Sequence, residues 1–192
     1  MVKKHRKTNE AIQDNWLFYG VDPESRTVMI DEEIDGHSIG LALRGIRSLV
    51  MNDAESQITL IVSTYGGDLY SAYGLYDYLR TLQCPIQTIG IGQVMSAGTL
   101  LFLAGDERIA LPHTTFMIHA ASMELDESKA YTVATDSIEI QRIWGELCET
   151  YAQRTSHKDA AWWKRWAKYE DRYLTADEAL DIGLATEIKR RS

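Results

Sequence analysis

The run ITLIVSTYGGDLYSAYGLYDYLRTLQCPIQTIGIGQVMSAGTLLFL, residues 58–103, decides the fold class. Ile58-Thr59-Leu60-Ile61-Val62 is apolar and β-branched, the signature of a central strand. Tyr65-Gly66-Gly67-Asp68 breaks it, and Leu69 to Leu82 takes up helical spacing. Pro85 stands at the mouth of a second strand, Ile86–Gly92, and Ser96 to Leu103 reads as a buried helix. Outward from this core, Thr27–Ile30 predicts a short strand ending at the acidic turn Asp31-Glu32-Glu33, and His37 to Met51 a helix. Arg108–Leu111 and Thr115–His119 predict two more short strands. Glu127 to Arg154 carries a long helical pattern, and Trp162, Trp163 and Trp166 fall on a short helix. Thr175 is placed as a helix N-cap, its hydroxyl accepting from freed amides, with Gly183 closing that helix. Strands alternating with helices imply an α/β domain built on parallel crossovers.

Of the 192 residues, 45% are hydrophobic and 25% charged, enough to bury a core and too apolar for a mainly disordered chain. The 20 Lys and Arg against 28 Asp and Glu leave a net charge of −8, which argues against nucleic acid or an anionic membrane as partner. The basic clusters Lys3-Lys4-His5-Arg6-Lys7 and Lys189-Arg190-Arg191 read as solvated termini. Cys84 and Cys148 form no CxxC pair and no zinc-ligand spacing, so no metal is expected and both are read as buried or half-buried thiols in a reducing cytosol. No apolar run approaches the roughly 20 residues of a membrane span, and no apolar segment follows the basic N-terminus as a secretory signal requires. A cytoplasmic location is the expectation. The aromatic patch Trp16-Leu17-Phe18-Tyr19-Gly20 docks either the N-terminal arm on the core or a partner subunit.

Three features carry candidate chemistry. Ser96 lies between a strand and a helix, where a helix N-terminus offers free amides to a nucleophilic hydroxyl; small residues there also serve plain helix–strand packing. The surrounding Val94-Met95-Ser96-Ala97-Gly98 is not a G-x-S-x-G elbow. His119 ends the strand Phe116-Met117-Ile118, a position for a general base or for a satisfied core histidine. Gly66-Gly67 permits close approach of backbone amides to a ligand, or simply turns tightly; no Gly-Lys-Ser/Thr follows to make it a P-loop.

Taken in order, these segments resemble the Clp protease proteolytic subunit family, the ClpP-type serine peptidases. The likeness runs from about Arg26 to Ile188. Ser63-Thr64-Tyr65-Gly66-Gly67 with Gly74-Leu75-Tyr76-Asp77 is similar to the family's Pro-Gly-Gly turn and the helix after it. Gly92-Gln93-Val94-Met95-Ser96-Ala97-Gly98 corresponds to its nucleophile segment, and Leu111-Pro112 with Met117-Ile118-His119 to the strand that ends in its base. Asp171-Arg172-Tyr173-Leu174-Thr175-Ala176-Asp177-Glu178-Ala179, with Gly183-Leu184, corresponds to the segment that carries its acid. The resemblance implies a crotonase-like ββα spiral with a protruding helical handle. It sets an N-terminal arm at 1–25 and a peptidase domain at 26–192, the handle lying at about 122–165. It implies hydrolysis of peptide bonds by Ser96, His119 and Asp171, with the backbone amides of Gly67 and Ala97 as oxyanion hole and no cofactor or metal. The rate is then expected to fall at acidic pH as His119 takes a proton. It further implies a homo-oligomer of heptameric or stacked rings around a chamber, unfolded protein or peptide substrates, and an ATP-driven AAA+ unfoldase as partner.

The chain departs from the family pattern in places. Ala120-Ala121-Ser122-Met123-Glu124 replaces a Gln-Pro and glycine-rich strand, Glu170 stands where Arg precedes the acid, and Thr59 and Ile61 stand where exposed tyrosines are usual. Competing readings are a non-catalytic or latent ring subunit or scaffold, a phage-type maturation protease, a crotonase-type acyl-CoA enzyme and a Ser/Lys peptidase. The presence of a Ser, a His and an Asp in the right order argues against the crotonase reading and disfavours the non-catalytic one; the Ser/Lys reading needs a membrane-associated context and a catalytic lysine, and neither is visible in the sequence.

Overall fold

The computed structural model describes residues 16, 19–122, 133–157 and 159–190. Most of the expected arm, Leu17 and Phe18 of the aromatic patch, and the start of the long helical pattern, 127–132, lie outside the described residues. In chain order the elements are β1 (Val21–Asp22), β2 (Thr27–Ile30), α1 (Gly36–Asn52), β3 (Ile58–Thr64), α2 (Leu69–Thr81), β4 (Ile86–Met95) and α3 (Ala97–Leu103). There follow β5 (Glu107–Ala110), β6 (Thr115–Ile118), α4 (Val133–Arg154), α5 (Ala160–Trp166), β7 (Arg172–Leu174), α6 (Ala176–Asp181) and β8 (Glu187–Ile188).

The strands form one sheet, ordered β1-β2-β3-β4-β5-β8, with β6 on β4 and β7 on β6. Pairings from β2 through β5 to β8 are parallel, as is β4 with β6; β1 and β7 run antiparallel to their partners. The helical crossovers α1, α2 and α3 make the parallel order possible. Along β3, Ile58, Leu60, Val62 and Thr64 are buried while Thr59, Ile61 and Ser63 are half-buried, the two-residue alternation of a sheet with one face on the core.

Helix ends follow local chemistry. Asp35 and Asp68 cap α1 and α2 with their carboxylates, and Thr175 makes a reciprocal capping box with Glu178. Gly183, just past α6, takes φ +75°, the left-handed closure expected of it. Trp163 is fully buried and stacks on Tyr151 of α4 at 4.8 Å, while Trp162 lies between His157 and Trp166, so the tryptophans pack α5 onto α4.

Three departures from the expected elements have physical reasons. β4 runs to Met95, past the Gly92 end expected for it, because Gln93–Met95 gain a ladder with β6. The strands β1, β7 and β8 are two or three residues long, too short to show a period, and exist only through their partners. The last helix of the central run starts at Ala97, leaving Ser96 outside it as a flanking residue. Both cysteines are buried, and burial pushes the Cys148 thiol up to about 12.

One buried cation ties the C-terminal half to the sheet. The Arg108 guanidinium donates to the carbonyls of Leu184, Gly105, Arg154 and Gly183 at 2.8–3.2 Å. Burial, and then the neighbouring Arg154, lower it to about 10, so it stays charged at neutral pH. Replacing it by the similarly long but apolar Met removes this donor from the Leu184, Arg154 and Gly183 carbonyls and leaves Gly105 with Arg154. Arg108→Met is expected to lower the unfolding free energy by about 3 kcal/mol, read as a lower urea midpoint at unchanged slope.

Candidate active site

The ladder registers converge on three residues. Met95 of β4 pairs with Met117 of β6, so Ser96 emerges beside the end of β6 and donates its amide to the Met117 carbonyl at 2.8 Å. Ile118 of β6 pairs antiparallel with Arg172 of β7; one step further along that register, His119 faces Asp171. Residues 96, 119 and 171, distant in the chain, become neighbours through strand pairing alone.

Ser96 Oγ lies 2.7 Å from His119 Nε2, a short hydrogen bond. For the hydroxyl to donate to Nε2, the ring proton must sit on Nδ1, the nitrogen on the Asp171 side. His119 Nδ1 is 3.9 Å from Asp171 Oδ1, longer than a hydrogen bond and within ion-pair range. The imidazole is 28% exposed and the carboxylate 56%, so the acid sits on the solvent side. The structure thus brings all three sequence-predicted residues together, with the second link open.

Ser96 has φ +51° and ψ −124°, an uncommon conformation for a side chain with a Cβ. Its surroundings hold it there. Its carbonyl accepts from the Thr99 hydroxyl at 2.7 Å, and that hydroxyl also meets the Tyr151 hydroxyl, so the handle helix α4 braces the start of α3 from behind. Tyr151 is buried, which pushes its phenol above the usual range and keeps it protonated. The geometry is that of a sharp strand-to-helix elbow, reached without the usual glycine pattern around the serine.

The glycines that make this possible lie on the neighbouring loop and on α3. A Cβ on Gly66 would come within 2.7 Å of the Ser96 Cβ, and one on Gly98 within 2.7 Å of the Thr64 Cγ2. Gly67, at φ +142°, bridges to Ile34, and a Cβ there would meet the Ile34 carbonyl oxygen at 2.2 Å. That bridge uses the Gly66 carbonyl and the Asp68 amide, leaving the Gly67 amide outside it. Ala97 begins α3, so its amide has no intrahelical acceptor. Both residues named for an oxyanion hole therefore carry amides outside these regular pairings.

A cleft of about 370 Å³ opens over Ser96 and His119, walled by Tyr65, Leu69, Tyr70, Met117, Ile140 and Ile143 among others. The aromatic and handle residues of this wall escaped the sequence reading; the tyrosines flanking Gly66-Gly67-Asp68-Leu69 were its only signal. Tyr70 donates to Glu139 of α4 at 2.8 Å, and Arg142 grips the same carboxylate at 2.6 and 2.8 Å. The Arg142 bonds first, then Tyr70, bring Glu139 down to about 2, while the carboxylate raises the Tyr70 phenol. This tie fixes the handle helix beside the cleft.

Among the described residues no group of His, Cys, Asp or Glu has the arrangement of a metal site, and no helix is long and apolar enough to cross a membrane.

A model of the Clp protease family matches residues 16–192. The chain belongs to the Clp protease family. Within that family it is a divergent ClpP-type member. It is 30% identical over 164 residues to ATP-dependent Clp protease proteolytic subunit 1 of Mycolicibacterium paratuberculosis, covering 84% of this chain and 77% of that protein. To proteolytic subunit 1 of Protochlamydia amoebophila it is 27% identical over 192 residues, covering 97% and 92%. To proteolytic subunit 2 of Mycobacterium leprae it is 30% identical over 186 residues, covering 95% and 81%. A point mutant of ClpP1 from Listeria monocytogenes superposes with a TM-score of 0.79 at 23% identity, over 88% of this chain and 94% of that one, which establishes a ClpP-like α/β fold.

The glycine contacts give a test of how this Clp family site is held. Gly98→Ala should destabilise the protein by roughly 1–3 kcal/mol through the Thr64 methyl. Thr64→Ser removes that methyl and keeps the hydroxyl that accepts from the Gly66 amide at 3.1 Å. The double variant is expected to regain much of the loss, seen as a non-additive cycle in chemical denaturation.

Proposed function

We propose that this Clp family chain is a serine endopeptidase whose nucleophile is Ser96. Its hydroxyl attacks the scissile carbonyl while His119 Nε2 takes the proton, and the imidazolium later returns it to the leaving amine. Asp171 stabilises that imidazolium across the gap and closes on Nδ1 as charge develops. The amides of Gly67 and Ala97 receive the oxyanion, a role in which losing one donor costs about 10²–10³ in rate. The observation that carries the reading is the 2.7 Å Ser96–His119 contact at a strand-to-helix elbow, on the floor of a cleft. Such chemistry moves only protons and an acyl group, so the chain needs no metal or cofactor of its own.

The relatives are named as proteolytic subunits of an ATP-dependent protease, which supports a division of labour. This chain supplies hydrolysis within a ring-forming homo-oligomer, and a separate AAA+ unfoldase spends ATP to deliver unfolded chains. One observation favours the second reading, a latent or scaffolding ring subunit: the 3.9 Å His119–Asp171 separation.

Intact-mass measurement after fluorophosphonate treatment discriminates the two. The peptidase gains one adduct, absent from Ser96→Ala, and Asp171→Asn lowers peptide turnover by about 10³–10⁴. An assembled, well-folded wild type that gains no adduct is a latent subunit or scaffold, and the peptidase reading then falls.

A further inference from the structure

Beside the cleft, lined by Ala120 and Ala121 just after His119, lies a second, larger groove of about 600 Å³. Ala121 and Ile140 belong to the walls of both, so the two adjoin. Buried Trp144 of α4 lines the groove, and its charged residues are Lys164, Arg165 and Lys168, from α5 and the turn after it. Among the described residues no carboxylate lines it. On a chain of net charge −8 this is a local reversal of sign.

The reversal has structural support. Gly145 sits inside α4, where glycine is disfavoured, and a Cβ there would lie 3.2 Å from the Lys164 ammonium nitrogen. The helix thus leaves room for that ammonium against its flank. Arg165 reaches Asp159 only at 3.7 Å, and Lys168 lies over the Tyr169 ring at 4.8 Å. Among the described residues Lys164 and Lys168 make no ion pair. Among the described residues the carboxylate lining the cleft beside Ser96 is Asp68, which disfavours a substrate carboxylate there, whereas the cations of the groove attract one.

We propose that the groove is a continuation of the substrate channel that takes an acidic stretch of the peptide, its carboxylates on Lys164, Arg165 and Lys168 and its apolar parts on Trp144 and Ile140. This rests on the peptidase reading. The groove's position against the cleft names the occupant's class, and its charge names the side chains. The carboxylates come from Asp or Glu side chains or from the peptide's own C-terminus.

The test uses the full-length Ser96→Ala chain and fluorescence anisotropy of labelled peptides of one length. One series carries a Glu-rich segment and one carries Gln in its place, each with a free or an amidated C-terminus. The acidic peptides should bind about tenfold tighter at 0.15 M salt, and that advantage should fade at 1 M, where the screening length drops to about 3 Å. Replacing Lys164 and Lys168 by Gln should weaken acidic peptides roughly threefold to tenfold, leaving neutral ones and, in the Ser96 background, fluorophosphonate labelling unchanged. Tighter binding of Glu-rich than of Gln peptides, both amidated, assigns the carboxylates to side chains; tighter binding of free than of amidated Gln peptides assigns them to the C-terminus. Equal binding of all four peptides overturns the inference, as does a double variant whose changed property is its oligomeric mass, which makes the groove a contact between copies. Labelling of Ser96 without charge selectivity sinks the groove and spares the peptidase reading. Charge-selective binding without labelling sinks the peptidase reading and keeps the groove as a peptide site.

Discussion

Two stretches of chain pass each other in this protein so closely that each contact needs a glycine on one side, and the site depends on that crossing. The loop after β3 brings Gly66 against the Ser96 Cβ, while Gly98 of α3 leans on the Thr64 methyl. Packed interiors leave no slack for an extra methyl at such a point, so the crossing fixes the serine's backbone as firmly as a covalent tie would fix a looser one. Ser96 holds an unusual φ because Gly66 below it, the Met117 carbonyl beside it and the Thr99 hydroxyl above it leave no relaxed alternative.

The second constraint is the double use of one strand edge. Gln87–Gly90 of β4 pair with β5, and Gln93–Met95 of the same strand pair with β6. Between them the register with β3 shifts, and Gly92 takes φ +60°. The bend lies between the β5 and β6 ladders, and beyond it Val94 still pairs with Thr64 of β3. From there, ladder geometry sets the spacing of Ser96, His119 and Asp171. The serine–histidine link is made, because the Ser96 amide is anchored on β6 itself. Asp171 lies beyond the last paired residue of β7 and is half in solvent, so nothing in the ladder pulls it the final ångström toward the imidazole.

The handle is coupled to this centre at both ends of what is described of it. Tyr151 and Arg154, near its C-terminus, reach the α3 start through Thr99 and the α3 end through the Leu103 and Gly105 carbonyls. Glu139 and Arg142, nearer its N-terminus, hold Tyr70 at the mouth of the cleft. The same helix contributes Ile140 to the wall shared by cleft and groove, so its placement shapes both the floor under the serine and the path a bound chain follows.

Much of this was legible in the chain itself. The β-branched run at 58–62, the helical spacing of 69–82 and the small residues around Ser96 required an α/β order, because burial periodicity is a local property that each segment displays alone. Ser96, His119 and the glycine pair stood out as candidates, and the resemblance to the ClpP-type peptidases joined them and added Asp171. What the sequence could not carry is whatever depends on two segments at once. The two-residue strands exist only through their partners, β4 lengthens because β6 supplies a ladder, and the tyrosine and handle residues of the cleft wall share no local pattern. The 2.7 Å and 3.9 Å links of the candidate triad likewise come from strand register, which is set by tertiary pairing. Residue identity determined which chemistry this protein is able to perform; the packing of one glycine loop beneath one serine decided where its parts stand.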